Sequence, residues 1–131
     1  MASREYLVDV SAYQPSSLTN YHNAGAKQVI TKITEGTGYF SPVAAAQIRS
    51  AHAHHMYVHG YHFATFGRSV SQAKKEAKHC IARAEKLGIS KKRYIACDWE
   101  TGDGNNVYGG KKASAKAIIA FMSEVHKAGY K

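Results

Sequence analysis

Acidic residues are scarce in this sequence. Nine Asp and Glu stand against 18 Lys and Arg, a formal charge of +9 over 131 residues. Such a balance draws a protein toward polyanions, whether nucleic acid, anionic membranes or anionic cell walls. The basic residues form no single block, however. Lys74, Lys75, Lys78, Arg83 and Lys86, then Lys91, Lys92, Arg93, Lys111, Lys112 and Lys116, are spread as solvated helix faces are. No helix-turn-helix or RNA-binding signature accompanies them, so no nucleic-acid partner is expected. No run is long and apolar enough to span a bilayer, and no membrane insertion is expected. The opening Met1-Ala2-Ser3-Arg4-Glu5-Tyr6 lacks a basic n-region followed by an apolar h-region, hence no signal peptide is expected. Synthesis is then cytoplasmic, and a substrate outside is reached only after release by another agent.

Cysteine is also rare. Cys80 and Cys97 lack metal-ligand spacing and read as buried free thiols. The histidines are more numerous. His52, His54 and His55 sit at a helix end and loop, where solvated polar residues are ordinary. His59 and His62 have opposite parity on one strand and cannot face one ion together. No metal site and no cofactor are expected. The loop Gly102-Asp103-Gly104-Asn105-Asn106 lacks phosphate-loop spacing.

What is present is an alternation of strand and helix signals. The strand signals are Tyr6–Ser11, Gln28–Thr34, Met56–Ala64 and Arg93–Glu100, all rich in β-branched or aromatic residues. Helix signals fall between them. Ser41-Pro42 predicts an N-cap with proline at the first helical position. Ser69 and Gln72 have capping-box spacing. Val70, Ala73, Ala77, Cys80, Ile81, Ala84 and Leu87 then recur at helical steps up to Gly88. This order predicts an α/β fold with a parallel sheet. It fits either a doubly wound sheet or a (β/α) barrel. A barrel needs about 250 residues, so this length would hold only about its first four β/α units. Half a barrel would leave the first and fourth strands as open edges and invite self-association.

Four of the nine acids close a strand signal: Asp9, Glu35, Asp98 and Glu100. In parallel α/β folds the C-terminal strand ends form the active-site face. Carboxylates gathered there repel, and one is expected to hold its proton near neutrality, as a general acid must. Asp98 and Glu100, two apart, point to one side, and Trp99 to the other. A carboxyl pair at such range suits glycoside hydrolysis, where one group protonates the leaving oxygen and the other faces the positive sugar carbon. Tyr13, Tyr39, Tyr61 and Phe63 lie near strand ends and could stack on sugar rings.

At these residues the sequence resembles a known family. Asp9-Val10-Ser11-Ala12-Tyr13-Gln14, Lys32-Ile33-Thr34-Glu35-Gly36, Gly60-Tyr61-His62-Phe63-Ala64 and Asp98-Trp99-Glu100 look like four consecutive motifs of glycoside hydrolase family 25, the Chalaropsis-type lysozymes common as phage endolysins and bacterial autolysins. The resemblance implies an irregular (β/α) TIM-like barrel that cuts the β-1,4 bond between N-acetylmuramic acid and N-acetylglucosamine in bacterial peptidoglycan. It implies Glu100 as proton donor, Asp98 as stabiliser of the intermediate and Asp9 in the same site. It further implies that residues 1–131 are the N-terminal portion of the catalytic domain. Two other readings of the residues stay open: an inactive fragment that only binds cell wall or polyanions, and another barrel glycosidase such as a chitinase. Chitinases usually show a longer acidic series on one strand, and none is present here.

Overall fold

The computed structural model describes residues 6–131. Met1–Glu5, read above for a leader, lie outside the described residues. The elements are β1 (Tyr6–Val10), α1 (Thr19–Asn23), β2 (Ala26–Glu35), β3 (Tyr39–Phe40), α2 (Ala44–Ala53), β4 (Tyr57–Phe63), α3 (Val70–Lys86), β5 (Ile95–Asp98) and α4 (Lys111–Lys127). The sheet runs β1-β2-β4-β5 with every neighbouring pair parallel, and β3 folds back antiparallel on β2. The two-residue β3 has no counterpart among the expected strands. At the outer edge of β5, Ile95 N–H donates to Lys131 O and Lys131 N–H to Arg93 O.

Alternation along each strand sorts side chains into two faces. On one face lie Val10, Val29, Thr31, Ile33, Val58, Gly60, His62 and Ile95, all buried. The helices cover this face. Thr31 reaches Gln47 of α2, His62 reaches Glu76 of α3, and the Phe121 ring of α4 stacks 5.1 Å from His62. Each large apolar side chain buried there contributes roughly 1.5–3 kcal/mol. The other face carries no helix among the described residues. Leu7, Tyr57 and Tyr94 stand on it, 55%, 48% and 57% exposed. A doubly wound sheet would be covered on both sides.

Helix ends follow local chemistry with two corrections. Ser69 accepts from Gln72 N–H as an N-cap should, but the Gln72 side chain donates to Glu76 and does not return to Ser69. The capping box is therefore half made. α2 starts later than Ser41-Pro42 predicts: its N-cap is Val43, and Ser41 is buried with no partner for its hydroxyl. Ser41 N–H instead donates to Ile33 O, so it belongs to the return from β3, and Pro42 lies in the turn. Both cysteines are free, Cys80 buried and Cys97 partly so; burial pushes both thiols up to about 12, which leaves them inert near neutrality.

Candidate active site

Because β1, β2, β4 and β5 run in parallel, their C-terminal ends meet at one rim. Asp9, Glu35, Asp98 and Glu100 all stand there. Glu100 lies two residues past the end of β5, not inside it as the strand signal predicts. Its side chain nonetheless falls beside that of Asp98, close enough for a hydrogen bond between the carboxyls. A cavity of about 530 Å³ opens at this rim, and its walls include Tyr13, Glu35, Tyr39, Tyr61, Phe63 and the Asp98–Glu100 pair. Asp9 borders an adjoining hollow that shares Tyr61 and Asp98. The expected site residues are thus brought together.

Each wall has its own support. The loop after β1 is held by Gln47, fully buried on α2, whose amide donates to Ser11 O at 2.9 Å and Pro15 O at 3.2 Å. That loop presents Tyr13, which is 95% exposed. The β5 end is held by Ala64 N–H donating to Asp98 O at 2.8 Å. Beyond it, Asn105 accepts from Gly67 N–H and donates to Glu100 O, each at 2.8 Å, while Trp99 Nε1 donates to Gly67 O at 3.0 Å. Trp99 points to the helix side, as alternation predicts. It there borders a mostly apolar groove of about 460 Å³ against α4, whose lining contains no carboxylate.

β2 breaks the simple alternation. Its register against β4 slips between Lys32 and Thr34, so Ile33 is an extra residue. Ile33 and Thr34 are consecutive buried residues, and Glu35 turns to the open side with Lys32. Lys32 Nζ lies 2.6 Å from Glu35 Oε1, 5.2 Å from the Tyr39 ring centre and 5.1 Å from that of Phe63. Lys32 was not among the expected site residues. The available signal was a single charge on the open-side parity of an otherwise β-branched strand. Asp103, also in the cavity wall, was likewise missed.

The electrostatics concentrate on Asp98. Burial, then the hydrogen bond to Glu100 and the charges of Glu100 and Asp9, push its carboxyl up to about 6, with Lys32 pulling the other way. The crowding of carboxylates expected from the sequence thus appears as a raised carboxyl on Asp98, which is partly buried. Tyr61, surrounded by these acids, is pushed up to about 12 by burial and by Asp9, Asp98 and Glu100. Its phenol therefore stays a hydrogen-bond donor. His59 faces the open side and bonds Gln28, while His62 faces the helices, in keeping with their opposite parity.

Comparison with known proteins bears on the family and the fold. Residues 8–131 match the model of glycosyl hydrolases family 25. The chain is 40% identical over 129 residues to the lysozyme of Lactococcus phage mv1, covering 98% of this chain and 64% of that protein. Its fold superposes with a TM-score of 0.75 on the modular Cpl-1 endolysin complexed with a peptidoglycan analogue, at 28% identity, over 95% of this chain and 34% of that one. The muramidase from Trichobolus zukalii gives a TM-score of 0.74 at 29% identity, over 92% of this chain and 58% of its own. The chain therefore spans under two thirds of the length of each. Shared sequence along nearly all of its length, and a shared fold, lead to one assignment: the chain belongs to glycosyl hydrolases family 25.

Proposed function

We propose that residues 1–131 are the N-terminal part of a muramidase catalytic domain that hydrolyses the β-1,4 bond between N-acetylmuramic acid and N-acetylglucosamine in bacterial peptidoglycan. The observation that carries this reading is the neighbouring Asp98–Glu100 carboxyl pair in the wall of a cavity that also holds tyrosines and Phe63. Glu100, the exposed member, is the proton donor to the leaving glycosidic oxygen. Asp98 faces the sugar carbon where positive charge develops, with Asp9 beside it. Asp98 is anionic when the cation forms. Glu35 and the rings of Tyr13, Tyr39, Tyr61 and Phe63 bind the glycan. The architecture is read as about the first four units of a (β/α) barrel, on the strength of sequential parallel strands with helices, among the described residues, on one face only. The site of action is the cell wall.

The test uses purified peptidoglycan and counts new reducing ends. Glu100→Gln keeps size and hydrogen bonding but removes the transferable proton, and general acid catalysis is typically worth about 10²–10⁴-fold in rate. A loss of that order is expected, with new reducing ends on muramic acid and with wall binding intact. Reducing ends on glucosamine, or turnover untouched by Glu100→Gln, would sink the assignment. A second reading, a wall- or polyanion-binding module without turnover, draws on the net charge of +9. It predicts salt-sensitive wall binding with no reducing ends released by the unaltered chain.

A further inference from the structure

The mechanism above makes no use of a fully buried carboxylate on α3. Glu76 has no exposed surface and accepts four hydrogen bonds: from Thr65 N–H and Thr65 Oγ1, each at 2.9 Å, from Gln72 Nε2 at 3.2 Å and from His62 Nε2 at 2.9 Å. His62 is equally buried, and its Nδ1 lies 2.8 Å from Thr34 Oγ1. Burial holds the His62 imidazole below its ordinary range. Burial alone would raise Glu76, but hydrogen bonds from His62, Thr65 and Gln72 outweigh it and hold the carboxyl low. The pair is thus neutral imidazole and carboxylate. Nε2 carries the proton and donates to Glu76, so bare Nδ1 must accept from the Thr34 hydroxyl.

Thr34 and Thr65 both belong to this network, and they touch the chain on either side of Glu35. Thr34 precedes it in sequence and is the residue that the Ile33 bulge turns into the core. Thr65 packs on Gly36, which follows it: a Cβ placed on Gly36 would meet Thr65 Oγ1 at 3.2 Å, and its φ is +56°. Gly36 N–H also donates to Phe63 O at 3.2 Å. Had β2 kept its period of two, Glu35 would follow Thr31 and Ile33 to the helix side and Thr34 would face the cavity. A hydroxyl bonded to a buried imidazole opposes that arrangement, because turning Thr34 outward would strand the imidazole nitrogen without a partner.

We propose that Glu76, through His62 and Thr34, is a positioning residue that locks the β2 bulge and so holds Glu35 and Lys32 in the cavity beside Asp98. The inference rests on reading that cavity as an active site, but the fixing of Glu35 and Lys32 can be measured without turnover. Three variants separate the possibilities. Thr34→Val removes only the hydroxyl, Thr34→Ser retains it, and Glu76→Gln removes the charge. In the unaltered chain, nuclear Overhauser contacts should join the Lys32 side chain to the Tyr39 and Phe63 rings, over which its Nζ lies 5.2 and 5.1 Å from the ring centres. These contacts should be lost in Thr34→Val and Glu76→Gln and restored in Thr34→Ser, while the Phe66–Phe121 ring contact persists. Should Glu76→Gln not fold, the two Thr34 variants decide alone, since neither disturbs a buried charge. Retention of the Lys32 contacts in Thr34→Val would overturn the proposal. So would their loss together with the Phe66–Phe121 contact, which would mark the network as general scaffolding. In a parallel assay on soluble glycan, Thr34→Val should lower turnover and Thr34→Ser recover it. If the unaltered chain releases no reducing ends, the functional reading suffers, while the spectroscopic result still decides whether the network positions Glu35 and Lys32.

Discussion

Asp98 sits half-buried against Glu100 with its carboxyl raised to about 6, and this has a consequence for stability. A carboxyl whose folded value lies above its unfolded value, ordinarily about 4, favours the folded state at low pH. That contribution is complete below the unfolded value and is lost as pH rises through the folded one. Near pH 7 the ionised group therefore works against folding. Asp98→Asn, which cannot ionise, should unfold at a higher temperature than the unaltered chain at pH 7, with the gap narrowing toward pH 4. Thermal unfolding of both proteins at the two pH values measures this directly. An equal gap at both would refute a raised Asp98 carboxyl. The same substitution should cost turnover heavily, because it removes charge beside the developing cation. The expected result is a stability–activity trade-off at one residue.

At the scale of elements, β4 is tightly packed at Gly60. Gly60 on its helix-facing side leaves space that Ile33 of β2, Ile95 of β5 and Ile89 after α3 fill. A Cβ there would lie 3.2, 3.3 and 3.0 Å from their Cδ1 atoms. Gly60→Ala forces three side chains to shift at once, and overpacking of this kind typically costs about 1–3 kcal/mol. Denaturant titration should show a lower midpoint with an unchanged slope. No change in midpoint would mean that the isoleucines repack freely. The N-terminus of α3 offers a milder case. Ser69 accepts from Gln72 N–H at 3.1 Å, and Ser69→Ala should lower stability by about 0.5–2 kcal/mol. A cost near zero would show that water replaces the cap.

For the whole molecule, the notable feature is a sheet with one open face. Leu7, Tyr57 and Tyr94 are each roughly half exposed on it, and β1 and β5 are its outer strands. Exposed apolar sheet faces and strand edges favour pairing with other chains. A charge of +9 on each molecule opposes such contact, and salt weakens that opposition. Association should therefore grow with protein concentration and with ionic strength, and Tyr94→Lys should reduce it. Sedimentation velocity can follow all three dependences. A monomer that persists at high concentration and high salt would show that the open face is not adhesive.

The order of the four parallel strands and the helices between them was legible from residue patterns alone, because a period of two and a period of 3.6 are local properties of the chain; the two-residue β3 was not. Parallel strands with acids at their ends also bring Asp9, Glu35, Asp98 and Glu100 to one rim by topology, and the motifs around them carry the family resemblance. The side of β2 on which Glu35 lies was not legible in this way. It depends on one extra residue, Ile33, against β4, and pairing between distant strands decides such a slip. Glu76 reads as one more charge on a basic helix until packing places it against His62 and Thr65. A raised carboxyl was expected from crowding, but that Asp98 is raised depends first on how much water it loses. Burial of that kind is a sum over neighbours remote in sequence, so only the tertiary structure could decide it.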